Sequence, residues 1–360
     1  MRSGDGTNVV ASGDRYSFAL TLLALGLVVA CRDHGFDDCN SVAECVGAPI
    51  DGGAGQPSRE WGVGGDGNDP LDVGEPSLRP TCHLYYEGAA VEALAGLAVV
   101  RTPTGSGAQL FSWDGPSSTA FYRVVPNDEV WVCFDLVPRV VRLAAMNLAN
   151  AQPEVFALSD TGVLFVRRDS THGWSPWLPF SLPGRSSLPT DVAAVGGKRA
   201  RVYVADEGRV FVRTKVEETS YADYGAWQGL QENGALRLAA VERRDHGAQV
   251  VTLDRARAVR TAVMADGALE FGEWTSLAPL PQQGVELEAV DVGRLVIYAL
   301  DSDGTVWVHV ENAPKASWVV QPRSDSLGKV IGIAALPDGD TPQLFRIDAN
   351  GNIDIVRGLP

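Results

Sequence analysis

Three side chains within one short stretch, His172, Trp174 and Trp177, bring two indoles and an imidazole together. An indole face stacks on the apolar face of a sugar ring, while an imidazole and nearby hydroxyls orient its polar edge. Trp174, beside Gly173 in an expected loop, is the better ligand candidate, because Trp177 belongs to a set of tryptophans that recurs along the chain. Asp301 with Asp303, and Asp348 with Asn350, have spacings found in calcium loops. Further oxygen ligands and a Glu at the twelfth position are missing, however, and these are the residues that a hairpin turn selects. Turn chemistry is their expected role, and no metal or cofactor is called for. No catalytic site is assigned either, since H-E-x-x-H, G-x-S-x-G and G-x-x-x-x-G-K-[ST] are all absent. His246 and His309 have no recognisable nucleophile beside them.

The elements that hold these residues repeat. A short apolar strand, mostly with an aromatic in it, ends on an acidic or hydroxyl residue at 114, 159, 206, 254, 301 and 348, intervals of 45, 47, 48, 47 and 47. A period of that size in an all-β sequence predicts a β-propeller. Ahead of each copy runs an Ala-rich innermost strand, expected at 91–97, 142–146, 191–195, 237–241, 286–290 and 331–336. Small side chains suit strands that converge on an axis. A Gly- or Asn-containing hairpin follows the copies that end at 159, 206, 301 and 348, and a third strand follows each of these at 163–166, 210–213, 306–309 and 353–356. The fourth strand carries Trp131, Trp177, Trp227, Trp274 and Trp318 in the first five units. These tryptophans are expected to pack between blades.

Six four-stranded blades are therefore expected, with seven as the alternative. The sixth unit stops after its third strand, so the strand that closes the ring is expected from 81–87, around His83-Leu84-Tyr85-Tyr86.

The chain divides into residues 1–30, a tether at 31–80 and the propeller at 81–360. Tyr16 to Ala30 is an apolar run preceded by Arg15, too short to span a bilayer comfortably but suited to a signal-peptide core. Val28-Val29-Ala30-Cys31 resembles the bacterial lipobox. That resemblance implies cleavage before Cys31, lipidation of its sulfur and a membrane-anchored lipoprotein of the cell envelope. Arg32 rather than Asp at the next position favours the outer membrane. The tether is rich in Gly, Pro, Asp and Ser and is expected to be a flexible spacer. Its G-x-G-x-x-G at 62–67 has neither the preceding strand nor the following helix of a dinucleotide site.

Cys39, Cys45, Cys82 and Cys133 remain after cleavage, an even set in an exported chain, with three possible disulfide pairings. Local pairing favours Cys39 with Cys45 and Cys82 with Cys133. A net charge of −15 argues against nucleic acid, which needs a basic face.

Residues 155–165 followed by His172-Gly173-Trp174-Ser175-Pro176-Trp177 resemble a blade of the bacterial fucose-binding and tachylectin-like propeller lectins, and the resemblance extends over 88–360. It implies sugar pockets between neighbouring blades. The leading expectation is a non-catalytic envelope lipoprotein whose monomeric propeller is a binding or scaffolding platform for a protein partner. Lectin-like glycan binding is the alternative. A sialidase-like hydrolase is the second alternative, its Asp-box only approximated by 302–307.

Overall fold

A computed structural model describes residues 94–360, apart from 106, 115–118, 128–130, 137–138, 151, 171–172, 184–188, 198, 217–223, 233, 267, 269, 314–316, 324–325 and 360. The expected signal peptide, the lipidation site Cys31, the tether, Cys39, Cys45, Cys82, the closing strand at 81–87 and His172 lie outside the described residues.

The chain forms six antiparallel sheets that succeed one another around a ring. Blade 1 comprises β1 (Ala98–Arg101), β2 (Ala108–Asp114), β3 (Thr119–Val125) and β4 (Val132–Leu136). Blade 2 comprises β5 (Val140–Asn147), β6 (Pro153–Ser159) and β7 (Leu164–Ser170), with an outer strand in two pieces, β8 (Gly173–Trp174) and β9 (Leu178–Phe180). Blade 3 is β10 (Asp191–Val195), β11 (Arg201–Asp206), β12 (Arg209–Thr214) and β13 (Gln228–Leu230). Blade 4 is β14 (Ala235–Glu242), β15 (Ala248–Asp254), β16 (Val259–Met264) and β17 (Thr275–Ser276). Blade 5 is β18 (Gly284–Asp291), β19 (Leu295–Asp301), β20 (Val306–Val310) and β21 (Val319–Val320). Blade 6 has three described strands, β22 (Val330–Asp338), β23 (Thr341–Asp348) and β24 (Ile353–Arg357).

The inner strands β1, β5, β10, β14, β18 and β22 each pack beside the next, and β22 packs beside β1, so the circle is complete at its axis. Gly332 makes this last contact possible, since a Cβ there would stand 2.8 Å from the Cα of Gly96. Trp131 adds a second tie, donating its indole N–H to the Gly351 carbonyl of blade 6 at 3.2 Å.

The repeated phrase is the second strand of every blade. Its central residue, Phe111, Phe156, Tyr203, Val251, Tyr298 or Phe345, is fully buried. Opposite it on the inner strand stand Ala98, Ala144, Ala193, Ala239, Glu288 and Ala334. Five small residues and one acid thus share one level of the axis.

Two expectations are corrected in detail. The first inner strand lies at Ala98–Arg101, past the expected 91–97, of which 94–97 are described and 91–93 lie outside the described residues. Leu94 bridges Asp114 and the Ala95 N–H donates to the Trp113 carbonyl at 2.9 Å, but pairing is interrupted before Ala98. Gly96 there lies against the Trp113 ring, which a Cβ would strike at 2.1 Å. Each recurring Trp also stands one residue before its outer strand, not within it.

Candidate functional site

β7 is long enough to pair with both pieces of the outer strand of blade 2, with β9 at its start and β8 at its end. Between them Ser175 holds the chain, its N–H donating to the Arg168 carbonyl at 2.9 Å and its Oγ accepting the Arg168 N–H at 3.1 Å. Pro176, which has no N–H, follows at the break. Trp174 and Trp177 are both half-buried and pack against the apolar seam between blades 1 and 2, with Tyr122 beside them. Trp174 meets Phe111 of blade 1 edge-on, with ring centroids 5.8 Å apart, and the Arg167 guanidinium lies 5.9 Å from the centre of the Trp177 ring. The structure therefore brings two of the three sequence-predicted residues to one blade junction.

Their roles separate when the other blades are compared. Trp227 donates its indole N–H to the Ser181 carbonyl at 2.7 Å, and Trp318 to the Ala278 carbonyl at 2.8 Å, each reaching the segment that follows the preceding blade's outer strand. With Trp131 on Gly351, these side chains staple blade to blade. Trp177 occupies the same repeated position. Trp174, three residues earlier, has aromatic counterparts in Tyr224 and Phe271, which meet Phe156 and Tyr203 of the preceding blades edge-on as Trp174 meets Phe111.

The turn carboxylates act as their turn chemistry requires. Asp301 accepts the N–H groups of Asp303 and Thr305, each at 2.9 Å, and the Trp307 indole N–H at 2.9 Å. Asp348 accepts from the backbone of Asn350, Asn352 and Gly328 and from the Asn352 amide. Although burial pulls the other way, the hydrogen bonds from Asn352, Gly328 and Asn350 hold its carboxyl below the ordinary aspartate range.

A pocket of ≈ 580 Å³ on the outer two strands of blade 3 was not apparent from sequence. It is lined by Arg209, Phe211, Gly229, Leu230, Gln231 and Glu232. Gly229 pairs with Phe211, and because a Cβ at Gly229 would rest on that half-buried ring at 3.6 Å, its absence leaves that side of the ring uncovered. Glu232 is buried and accepts a hydrogen bond from Arg260 of blade 4 at 3.0 Å. Burial raises its pKa, with Arg260 opposing. The available signal was Gly229 two residues after the recurring Trp, where the other blades carry Cys133, Pro179, Ser276 and Val320. An aromatic face flanked by a guanidinium, an amide and a carboxyl can stack on an apolar ring face and hydrogen-bond its hydroxyls.

The third feature lies on the axis. The inner strands of blades 2, 4, 5 and 6 each slip register by one residue at the same place, the step before Arg142, Arg237, Glu286 and Gly332. Such a bulge takes one residue out of the ladder. The carbonyls of the skipped residues then receive guanidinium groups: Arg142 donates to Val141 at 2.9 Å and Val285 at 3.1 Å, and Arg237 to Val285 at 2.5 Å and Leu236 at 3.0 Å. Asp191 completes the layer, 3.3 Å from the Arg142 Nε and accepting the Leu238 N–H at 2.7 Å from the next blade. Glu286 repeats that device one blade pair further on, accepting the Ile333 N–H at 2.8 Å. Burial raises both carboxyls against the pull of Arg142, Glu286 to about 8.

No family model matches the chain, and no curated protein matches it. Among solved structures it is similar to AofleA from Arthrobotrys oligospora, with TM-score 0.52 and 12% identity over 76% of this chain and 85% of that one. It is also similar to the fungal lectin of Aleuria aurantia, a six-bladed β-propeller described with a novel fucose recognition mode, with TM-score 0.52 and 12% identity over 73% and 91% of the two chains. At that identity the likeness is one of fold.

Proposed function

We propose that this protein is a non-catalytic, carbohydrate-binding propeller whose sugar sites lie on the outer parts of the blades and at their junctions. The observation that carries this reading is the open Phe211 ring, set in one pocket with Arg209, Gln231 and Glu232. Trp174, half-buried at the junction of blades 1 and 2 and the only indole among the aromatic residues described at its repeat position, is the second platform. Fucose, the sugar named for the Aleuria aurantia lectin, is the first ligand to try. A protein platform needs no such combination of an uncovered ring and clustered hydrogen-bonding groups. On a glycan array the full-length protein is expected to give saturable binding, reduced about tenfold or more by Phe211→Ala or Trp174→Ala, a loss of one stacking contact worth about 1.4 kcal/mol or more. Binding untouched by both substitutions would remove these sites, and silence across the array would return the protein-platform reading to the front.

The propeller is proposed to be displayed from the cell envelope, with lipid on Cys31 and disulfides among Cys39, Cys45, Cys82 and Cys133. Incorporation of labelled palmitate is expected for the full-length chain and is expected to vanish in Cys31→Ser. Label retained by that variant would place the modification elsewhere.

A further inference from the structure

We propose that the axial channel is a second ligand site, for a small molecule carrying a primary ammonium group on an apolar stem, with Glu288 as the group that receives the ammonium. The channel encloses ≈ 470 Å³ and its wall includes Ala98, Ala144, Ala193, Ala239 and Glu288. That volume lies within the range of small-molecule sites. The lining continues along the inner strands to Ala149, Gly197 and Glu242, three to five residues or roughly 10–17 Å from the alanine level. At that end Arg101, Glu242 and Pro337 also line an outer depression of ≈ 390 Å³, so the channel opens to the surface there.

Glu288 is the exception in an otherwise uniform ring. Five blades place Ala opposite the buried residue of their second strand, and only blade 5 places an acid. The neighbouring layer explains its own charges: Asp191 and Glu286 hold backbone N–H groups of the next blade, and the arginines hold carbonyls freed by the bulges. Among the described residues, no hydrogen bond or ion pair reaches the Glu288 carboxyl. A half-buried carboxylate facing a narrow channel without a partner is costly, and the fold is built without it in five blades of six.

The surroundings select the ligand class. The wall around this single carboxyl group is built largely of Ala, Val and Leu side chains, which suits a cation carrying an apolar stem better than a bare metal ion that takes several charged or water ligands. An ammonium needs only three acceptors. The inner strands are the axial edges of their sheets, so each presents a row of backbone carbonyls toward the channel that can join Glu288. The Ala, Val and Leu side chains between Glu288 and the rim suit an alkyl stem. Burial, with Glu286 of the same strand and Asp191 of β10 as like charges, raises the carboxyl well above the ordinary range. Arg142 of β5 and Arg237 of β14 are engaged by Asp191 and backbone carbonyls. An arriving cation therefore displaces a proton from the acid, and its binding weakens as the pH falls.

Titration calorimetry with n-hexylammonium chloride and the full-length protein tests the site, with n-hexanol as the neutral comparison. Glu288→Ala restores the residue of the other blades and is expected to fold. Saturable binding of hexylammonium is expected, at least about tenfold tighter than hexanol and lost about tenfold or more in Glu288→Ala. Equal binding to the two proteins, or no saturable heat up to about 10 mM, overturns the proposal. The outcome does not depend on the carbohydrate reading, because neither Phe211 nor Trp174 lines the channel.

Discussion

Glu154→Ala is expected to destabilise the propeller by about 3–5 kcal/mol, the range seen when one partner of a buried charge network is removed. Glu154 has no exposed surface. It sits on β6 opposite Arg168 of β7, and the two side chains form an ion pair. Blade 3 supplies the rest: the Lys215 ammonium at 3.2 Å, and the Tyr224 hydroxyl, which donates at 2.5 Å. Burial raises the Tyr224 pKa despite Arg168 and Arg213, so the phenol keeps the proton that it donates. The Lys215 ammonium also lies 4.7 Å from the centre of the Tyr224 ring. Truncating the carboxylate leaves a guanidinium and an ammonium side by side, both nearly inaccessible to water, and separates two blades that this acid joins.

Urea unfolding of wild type and variant measures the difference, and the midpoint is expected to fall steeply. Glu154→Gln preserves shape and should recover only part of the loss, because the two cations still lack a counter-charge. Adding Lys215→Met to Glu154→Gln should recover more, since it removes one of those cations. A Glu154→Ala midpoint within about 0.5 kcal/mol of wild type, the scale of an ordinary surface change, would mean that the network contributes nothing net.

What the sequence made legible follows from what recurs. The buried residue of the second strand recurs in all six blades, and the small residue facing it, the turn carboxylate and the outer Trp recur in five each. Their spacing therefore revealed six units, the last with three strands, and the turn role of Asp301 and Asp348. Backbone irregularities were not legible. The slip before Arg142, Arg237, Glu286 and Gly332 carries no common residue type, and only paired register shows that these positions share a level. The break at Gly96 displaced the expected first strand for the same reason. Trp174 read as an addition to the repeat because its counterparts, Tyr224 and Phe271, are not tryptophans, and only their shared edge-on packing shows the equivalence; the Phe211 pocket depends on a missing side chain at Gly229. Glu288 was hidden in an alternating stretch, Glu286-Leu287-Glu288-Ala289, that reads as an ordinary strand.

Glu288→Ala is expected to raise stability by about 1–3 kcal/mol near neutral pH, since it replaces a desolvated acid with the residue the other five blades use. The pH dependence gives the more discriminating result. The Glu288 carboxyl holds its proton more tightly in the folded chain than at the ordinary value of 4.5, so folding is favoured while it stays protonated. Its contribution is fully present below about pH 4.5 and is lost as the pH rises toward the raised folded value. Glu286, pushed to about 8 by burial, adds a loss of the same sign between 4.5 and 8. Wild type is therefore expected to melt at a higher temperature at pH 5 than at pH 8. The variant should show a shallower decline, because one of these acids is gone. Melting curves of both proteins at the two pH values measure this. Equal slopes would mean that solvent in the channel satisfies Glu288 at no cost to the fold. A gain in stability that is larger at pH 8, accompanied by loss of hexylammonium binding, would instead identify Glu288 as a residue held for a ligand at the expense of the scaffold, the trade expected where function departs from the repeat.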